Sequence, residues 1–371
     1  MPTYLTPEQL ARDLALRDLT DADAGPHAIQ SLVGLATDAL VAAWRCPARS
    51  SPGPRIVPIA DNYDNLGFTA DAASRDARYT RYVDGRRMLR SHSSAMVPAA
   101  LRSLAVEPVD DVLLVCPGIV YRRDAIDRLH TGTPHQLDLW RISRRPLTNA
   151  DMDQMVALLA DTLAPGRPWR TEPRVHPYTV DGRQVDVAQG GEWVEVWECG
   201  LAQPAVLARA GLDGWHGLAL GMGLDRLLLL RKQIPDIRLP RSPDPRVEGQ
   251  MLDLEPYRAI SAMPPVVRDL SVAVDVGDDV EQLGDRVRDA LGDEASAVEE
   301  VAVLSETAYG ALPASAIARM GMGPRHKNVL VRVVLRHLQR TLTDREANAL
   351  RDRIYGALHA GDTQELTSRD R

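Results

Sequence analysis

From Ile56 to Arg238, short runs of β-type residues alternate with polar turns, and in several of them apolar and polar positions follow a period of two. Val112–Val115, Val120–Tyr121, Gln136–Ile142, Gln184–Val187 and Trp193–Trp197 read as strands of an antiparallel sheet. In the last of these, alternation puts Trp193, Glu195 and Trp197 on one face and Val194, Val196 and the following Glu198 on the other. Leu218–Arg231 reads as a helix whose start carries Gly221-Met222-Gly223. Two helices precede the sheet. Thr6-Pro7-Glu8-Gln9 has a capping Thr, a first-turn Pro and a Gln that closes a capping box. After Gly25-Pro26, residues Ile29, Leu32, Val33, Ala36 and Leu40 fall on one helical face. The Ser- and Pro-rich stretch Cys46–Arg55 reads as a loop.

Residues 240–264 hold several prolines and little periodicity, which marks a linker. Beyond it, Leu270–Val274, Val298–Leu304 and Val329–Leu335 read as strands, and Val280–Leu291 and Asp344–Leu358 as helices. Strand–helix–strand–strand–helix suggests a ferredoxin-like split βαβ unit. The expected class is therefore α+β. Its expected parts are N-terminal helices over 1–50, a main domain over 51–239, the linker, and a small domain over 265–371.

Composition narrows the functional classes. Hydrophobic residues make up 44% of 371, enough for a sizeable core, while aromatics are 4% with a single phenylalanine, Phe68. Net charge is −7, so nucleic acid would have to be bound through local arginine clusters rather than overall attraction. Cys46, Cys116 and Cys199 are isolated from one another, with no zinc spacing, which predicts reduced thiols. The first residues lack the apolar centre of a signal peptide, and no run of about 18 apolar residues occurs, so a cytoplasmic protein is expected.

Three blocks carry chemistry. The first is Val120-Tyr121-Arg122-Arg123-Asp124, followed by His130 and His135-Gln136-Leu137-Asp138. An arginine at a strand end offers a planar, permanently charged fork to phosphate oxygens. The second is Gly191-Glu192-Trp193-Val194-Glu195-Val196-Trp197-Glu198-Cys199-Gly200. A carboxylate within a sheet needs a cation to answer it, Mg²⁺ being one candidate. The third is Gly221-Met222-Gly223-Leu224-Asp225-Arg226, where glycines let a helix start pack closely and an arginine follows.

These blocks, with Leu89-Arg90-Ser91-His92-Ser93-Ser94-Ala95 before them and Ile234-Pro235-Asp236-Ile237-Arg238-Leu239 after, resemble class II aminoacyl-tRNA synthetases. The likeness is to phenylalanyl-tRNA synthetases, above all the single-chain organellar form, and runs in order from about residue 56 to 360. Downstream, Pro264–Ser271 and Arg336–Glu346 resemble that family's ferredoxin-fold anticodon-binding domain, and arginines within Arg332–Arg340 are candidates for an RNA-facing surface. The resemblance implies a class II catalytic sheet flanked by helices. It implies ATP and Mg²⁺, an amino acid activated as its adenylate, and tRNA as acceptor through the C-terminal domain. Arg122 would hold the α-phosphate and the attacking carboxylate. Arg226 would stack on adenine, Glu195 would coordinate Mg²⁺, and His130 would lie near the ATP tail. His92, Ser94, Gln136 and Asp138 would bind the amino group, with Glu198 and Gly200 in the amino-acid pocket.

The sequence departs from the family at that pocket. The Phe-Pro-Phe wall is replaced by Glu172-Pro173-Arg174-Val175-His176-Pro177-Tyr178, the Phe before His-Gln is Pro134, and Trp197-Glu198 stands where Leu-Gly is expected. Phenylalanine is the family's substrate. The departures leave open a polar or cationic side chain answered by Glu198, a non-tRNA acceptor, or an inactive homologue that binds tRNA or regulates.

Overall fold

In the computed structural model, which describes residues 4–260 and 264–363, the strands are β1 (Ala48–Ser50), β2 (Ile56–Pro58), β3 (Arg87–Leu89), β4 (Asp111–Ile119), β5 (His135–Ser143), β6 (Trp169–Pro173), β7 (Thr179–Gln189), β8 (Glu192–Ala202), β9 (His216–Gly223), β10 (Val266–Asp275), β11 (Val298–Ala308) and β12 (His326–Leu335). Contacts divide the chain into two units. The first holds residues 4–122, Thr133–Pro235 and Gly249–Tyr257. The second holds Arg123–Gly132, Asp236–Glu248 and the described residues from Arg258 onward. The segment read as a linker is thus shared between the units: 240–248 belongs to the second and 249–257 to the first. Lys232 anchors the latter stretch, because its buried ammonium reaches the Asp253 and Glu255 carbonyls and the Asp253 carboxylate within the first unit.

The first unit is built on a seven-stranded sheet in the order β1-β4-β5-β9-β8-β7-β6. β1 is parallel to β4 and every other pair is antiparallel. β4 and β5 are buried along nearly their whole length, and β4 accordingly reads as a nearly continuous apolar run, whereas β5 carries Gln136, Asp138 and Arg141 among its apolar residues. One side of the sheet packs Leu101 and Leu104, from the helix Val97–Val106, over Val112, Leu114, Trp140 and Ile142. No helix among the described residues is long and apolar enough to cross a membrane.

Four expectations change. Val120–Tyr121, read as a strand, lies beyond the end of β4 at Ile119, and its two N–H groups go to the Pro134 and Arg90 carbonyls instead. The run read as a helix over Leu218–Arg231 is the central strand β9 followed by a helix only from Leu224 to Lys232. Its apolar residues lie between β5 and β8, and periodicity alone does not separate a strand buried on both faces from a buried helix. Within the stretch read as a loop, Ala48–Ser50 forms β1. In β8, Trp197 pairs with Val185 and Glu195 with the next residue, Asp186, so two residues of β8 face one of β7. This bulge at Val196 breaks the alternation: Trp193 is 43% exposed and Trp197 is 1% exposed.

The N-terminal segment is part of the same unit. Thr6 and Gln9 form the reciprocal cap of the helix Pro7–Ala15, and Ile29, Leu32, Ala36 and Leu40 of the helix Ala28–Trp44 are fully buried. Asp18 accepts the Ile119 N–H at 2.9 Å and Leu19 donates to His135 Nε2 at 3.0 Å. Arg90, itself buried, donates to the Ile119 and Pro52 carbonyls. Gly118 gives it room, since a Cβ there would stand 2.0 Å from its guanidinium.

The second unit carries a three-stranded antiparallel sheet, β10-β12-β11. Helices Val280–Leu291 and Asp344–Leu358 cover it through Leu283, Val287, Ala347 and Ile354, packed on Val272, Val329 and Val331. Both helices begin with a reciprocal cap, Asp279 with Gln282 and Thr343 with Glu346. A short helix, Ala314–Met320, lies in sequence between β11 and β12.

Asp13 and Arg81 are both buried and paired at 2.7 Å. Arg81→Ala is expected to lower the unfolding free energy by about 3–5 kcal/mol, because it leaves a buried carboxylate unanswered. Arg87→Ala, in the exposed pair with Asp84, should cost under about 1 kcal/mol. Urea unfolding midpoints of the two variants check the difference.

Candidate active site

The register of the three central strands builds a floor. Asp138 on β5 stands opposite Gly221 on β9, and Gly221 stands opposite Glu198 on β8. Two strand spacings, roughly 10 Å, therefore separate two carboxylates with a side-chain-free residue between them. A Cβ at Gly221 would approach Asp138 Oδ2 to 3.5 Å. The next row is Trp140, Ala219 and Gly200. Gly200 lets β7 close on β8, because a Cβ there would lie 2.7 Å from that of Thr179.

Asp138 is 2% exposed. Its Oδ2 accepts the hydroxyls of Ser93 and Ser94, the latter at 3.1 Å, and its Oδ1 accepts the Trp140 indole N–H at 3.0 Å. Burial pushes its carboxyl up to about 6, and these donors oppose that rise. Gln136 Oε1 accepts the Ser93 N–H at 3.1 Å, locking the turn after β3 onto β5. The same turn is held from the other side by Asn62, which accepts the Ser91 N–H at 3.0 Å, donates to the Ser91 hydroxyl at 2.8 Å and lies 3.3 Å from His92 Nε2. His92 Nδ1 is buried with no partner among the described residues. Burial lowers the imidazole to about 4, and the Arg122 charge adds to the lowering.

Aromatic rings wall the cluster. Phe68 lies 5.8 Å from His92 and 6.2 Å from Tyr178, and Tyr178 lies 6.1 Å from Trp140. Burial, then the nearby Asp138 and Glu198 charges, push the Tyr178 phenol well above its ordinary range. The aromatic wall that the sequence lacks at 172–178 is supplied in part by Phe68, some hundred positions earlier in the chain.

Glu198 does not await a cationic ligand. Its Oε1 accepts Arg174 Nε at 2.8 Å and its Oε2 meets His176 Nε2 at 2.7 Å. Burial raises its carboxyl, and the His176 and Arg174 contacts outweigh that to hold it below the usual range. For Glu198 to answer a substrate cation, the alternative the sequence left open, Arg174 or His176 would have to give way.

A second cluster lies around the helix start at Gly223. Arg226 Nη1 donates to the Glu195 carbonyl at 3.1 Å, while the half-buried Glu195 carboxylate has no partner among the described residues. Asp225 accepts the His135 N–H and faces its Nδ1 at 3.3 Å, tying that helix start to β5. His135 Nε2 accepts from Leu19, so its Nδ1 carries the proton toward Asp225. Arg122 follows β4 and its backbone bridges Thr80. His130 belongs to the second unit, where Asp127 holds its Nδ1 at 2.7 Å.

The structure thus brings His92, Ser94, Gln136 and Asp138 together, places Glu198 and Gly200 on the same floor, and joins Arg226 to Glu195. Sequence reasoning missed Asn62, Ser93, Phe68 and Trp140 as members. Ser93 stood inside the quoted string Leu89–Ala95 and Phe68 is the lone phenylalanine, whereas Asn62 and Trp140 carried no signal. Among the described residues no cluster of three His, Cys, Asp or Glu could cage a metal. A hard cation at Glu195 would therefore share its shell with other oxygens.

The family model described as tRNA synthetases class II core domain (F) matches residues 45–251. The phenylalanine--tRNA ligase alpha subunit of Prochlorococcus marinus (strain MIT 9312) is 34% identical over 188 residues, 50% of this chain and 53% of that protein. The probable mitochondrial phenylalanine--tRNA ligase of Drosophila melanogaster is 28% identical, covering 81% of this chain and 75% of that protein. The chloroplastic/mitochondrial ligase of Arabidopsis thaliana is 28% identical, covering 81% and 68%. The chain spans about half the length of the alpha subunits it matches. A solved pyrrolysyl tRNA synthetase structure from Desulfitobacterium hafniense aligns with a TM-score of 0.45 at 18% identity, covering 57% of this chain and 72% of that one.

Asp138 and His92 pull stability in opposite directions with pH. Asp138, raised from 3.8 to about 6, contributes stability that is present below 3.8 and lost as pH rises to 6. His92, lowered from 6.5 to about 4, contributes stability that is present above 6.5 and lost as pH falls to 4. Chemical unfolding of Asp138→Asn between pH 4 and 6 should remove a falling contribution of about 3 kcal/mol relative to the parent, and His92→Gln should remove a rising one. Parallel curves for all three proteins would contradict both shifts.

Proposed function

The chain belongs to the class II tRNA synthetase core domain (F) family, which its residues 45–251 match, and from that premise we propose that it is an ATP-dependent aminoacyl-tRNA ligase acting on phenylalanine. The observation that carries the reading is the floor itself. A buried carboxylate answered only by neutral donors sits beside an aromatic wall, with a glycine-lined gap next to it. The Asp138 charge suits an α-ammonium group, and the Phe68–Tyr178–Trp140 rings suit an aromatic side chain. Relatives named phenylalanine--tRNA ligase, two of them organellar and matched over 81% of this chain, support the substrate. With Glu198 engaged by Arg174 and His176, nothing in the site calls for a cationic substrate.

In this reading the substrate carboxylate attacks the α-phosphorus of ATP, a P–O bond forms, and pyrophosphate leaves with its bonding pair. Negative charge develops on the phosphate oxygens, and fixed guanidinium groups stabilise it without having to reorganise. Arg122 would hold the carboxylate and the α-phosphate in line, and Arg226 would cover the adenine and reach the phosphate tail. Glu195 fits Mg²⁺ because its carboxylate is half-buried and unshared, and bound Mg²⁺ would supply further charge neutralisation. No side chain has to give up or take a proton in this step, so the work is positioning. A tRNA 3′ hydroxyl would then take the aminoacyl group from the adenylate. The second unit would contribute to tRNA binding, but Arg332, Arg336 and Arg340 are paired with Asp269, Glu299 and Glu346. Phosphates would have to displace those acids.

Phenylalanine-dependent ATP–pyrophosphate exchange tests the proposal. The parent should give a signal, and Arg122→Ala and Arg226→Ala should each reduce it by about 10²–10³-fold. Glu195→Gln should raise the Mg²⁺ concentration needed for half-maximal exchange. Absence of exchange with any amino acid would refute the activity, and exchange with another amino acid alone would refute the substrate.

A further inference from the structure

Between β6 and β7 the chain turns through Arg174, Val175, His176, Pro177 and Tyr178. The turn is a surface feature, with Val175 94% exposed. Backbone bonds close it on itself, from Arg174 N to the Gly182 carbonyl at 2.8 Å and from Thr179 N to the His176 carbonyl at 3.3 Å. Gln203 N holds the Tyr178 carbonyl at 2.9 Å, which fixes the main chain there.

One carboxylate ties two of the turn's side chains to β8, while His176 Nδ1 also meets the Thr179 hydroxyl at 3.3 Å. Glu198 takes Arg174 on one oxygen and His176 on the other, at 2.8 and 2.7 Å. His176 then lies stacked on Tyr178, with ring centroids 5.3 Å apart and planes 26° from parallel. Tyr178 in turn faces Phe68 and Trp140, and Trp140 donates to Asp138. A line of contacts therefore runs from Glu198 through the stacked His176 and Tyr178 rings, and then Trp140, to the carboxylate assigned to the amino group. Charge-assisted bonds are about twice as strong as neutral ones, so Glu198 fixes His176 more firmly than a neutral residue could.

We propose that Glu198 is a positioning residue that sets the amino-acid selectivity of the site: it clamps His176, and through the stacked imidazole it holds the Tyr178 ring in the wall of the pocket. The proposal rests on the reading of this site as one that activates an amino acid. Glu198 touches no reacting atom, so its loss should loosen recognition of the side chain while leaving ATP in place.

The test measures ATP–pyrophosphate exchange by the full chain across the proteinogenic amino acids, with Glu198→Gln, Glu198→Ala and Arg174→Ala. In parallel, tryptic cleavage of the native parent and Glu198→Gln after Arg174 is followed by mass spectrometry. In Glu198→Gln the KM for the activated amino acid should rise roughly tenfold or more. The KM for ATP should stay within about twofold, preference over the next-best amino acid should fall by a similar factor, and cleavage at Arg174 should be several times faster. Arg174→Ala, which keeps the His176 contact, should show a smaller KM change in the same direction. If Glu198→Ala does not fold, the other two variants decide.

Unchanged amino-acid KM and selectivity in Glu198→Gln overturn the proposal whatever the cleavage rate does. An equal rise in both KM values overturns it too, because that is general loosening. If the parent activates an amino acid other than phenylalanine, the substrate reading falls and the same comparison is made with that amino acid. If it activates none, the enzymatic reading falls, and cleavage alone decides whether the clamp exists: an unchanged rate removes it.

Discussion

A carboxylate taken out of water must be answered, and Asp138, buried at the centre of the first unit's sheet, imposes that demand on everything near it. Its donors come from Ser93, Ser94 and Trp140. Two of them lie on a turn far from β5 in sequence, so the turn after β3 has to be pinned. Gln136 pins it from the strand and Asn62 from the opposite side. Asn62 in turn precedes Tyr63, whose ring packs edge-on to Phe68 at 5.6 Å. The aromatic wall and the carboxylate nest are thus one construction: the residues that satisfy Asp138 also set where the rings stand.

The second constraint is close approach. β9 runs through the middle of the sheet between two strands that carry acids, and Gly221 keeps the space between those acids open. Gly118 and Gly200 do similar work at the edges of the floor, one under the Arg90 guanidinium and one against Thr179. A methyl group at either place would meet atoms that cannot step aside, because Arg90 is held by backbone carbonyls and Thr179 by its own strand. These glycines are packing requirements rather than conformational ones, since none of the three has a positive φ.

Much of this was legible in the sequence because local chemistry and tertiary role coincide. The reciprocal cap at Thr6 and the buried stripe Ile29–Leu40 follow from spacing alone, and most of the sheet strands from apolar patterning. His92, Gln136 and Asp138 could be named because they stand in recognisable strings. What was not legible depends on partners distant in the chain. The bulge at Val196 is a property of pairing with β7, and no feature of the string Glu192–Gly200 announces it. β9 is apolar on both faces, which erases the period that distinguishes strand from helix. The N-terminal segment resembles nothing in particular, yet Asp18 and Leu19 tie it to Ile119 and His135 with bonds that only the folded chain brings together. Phe68 likewise becomes a wall of the pocket only once the 3₁₀ turn before it, Asp64–Leu66, has placed it beside His92.

The manner in which each carboxylate is answered sorts the roles proposed for them. Asp138 is met by neutral donors, which ease its burial without cancelling its charge, and so it keeps an attraction for an ammonium group. Glu198 is met by an arginine and a histidine, which hold it ionised and spend its charge on holding a turn. Glu195 is met by no side chain among the described residues, and the neighbouring Arg226 donates to its backbone carbonyl rather than to its carboxylate. Had Arg226 closed on the Glu195 carboxylate, each charge would have neutralised the other and neither would be available to a phosphate or a metal. Binding the carbonyl instead keeps the guanidinium in place, leaves it cationic toward a ligand, and leaves the carboxylate to a cation. One acid that attracts, one that clamps and one left open are distinguished here by their partners alone, since all three are ordinary side chains on two nearby strands.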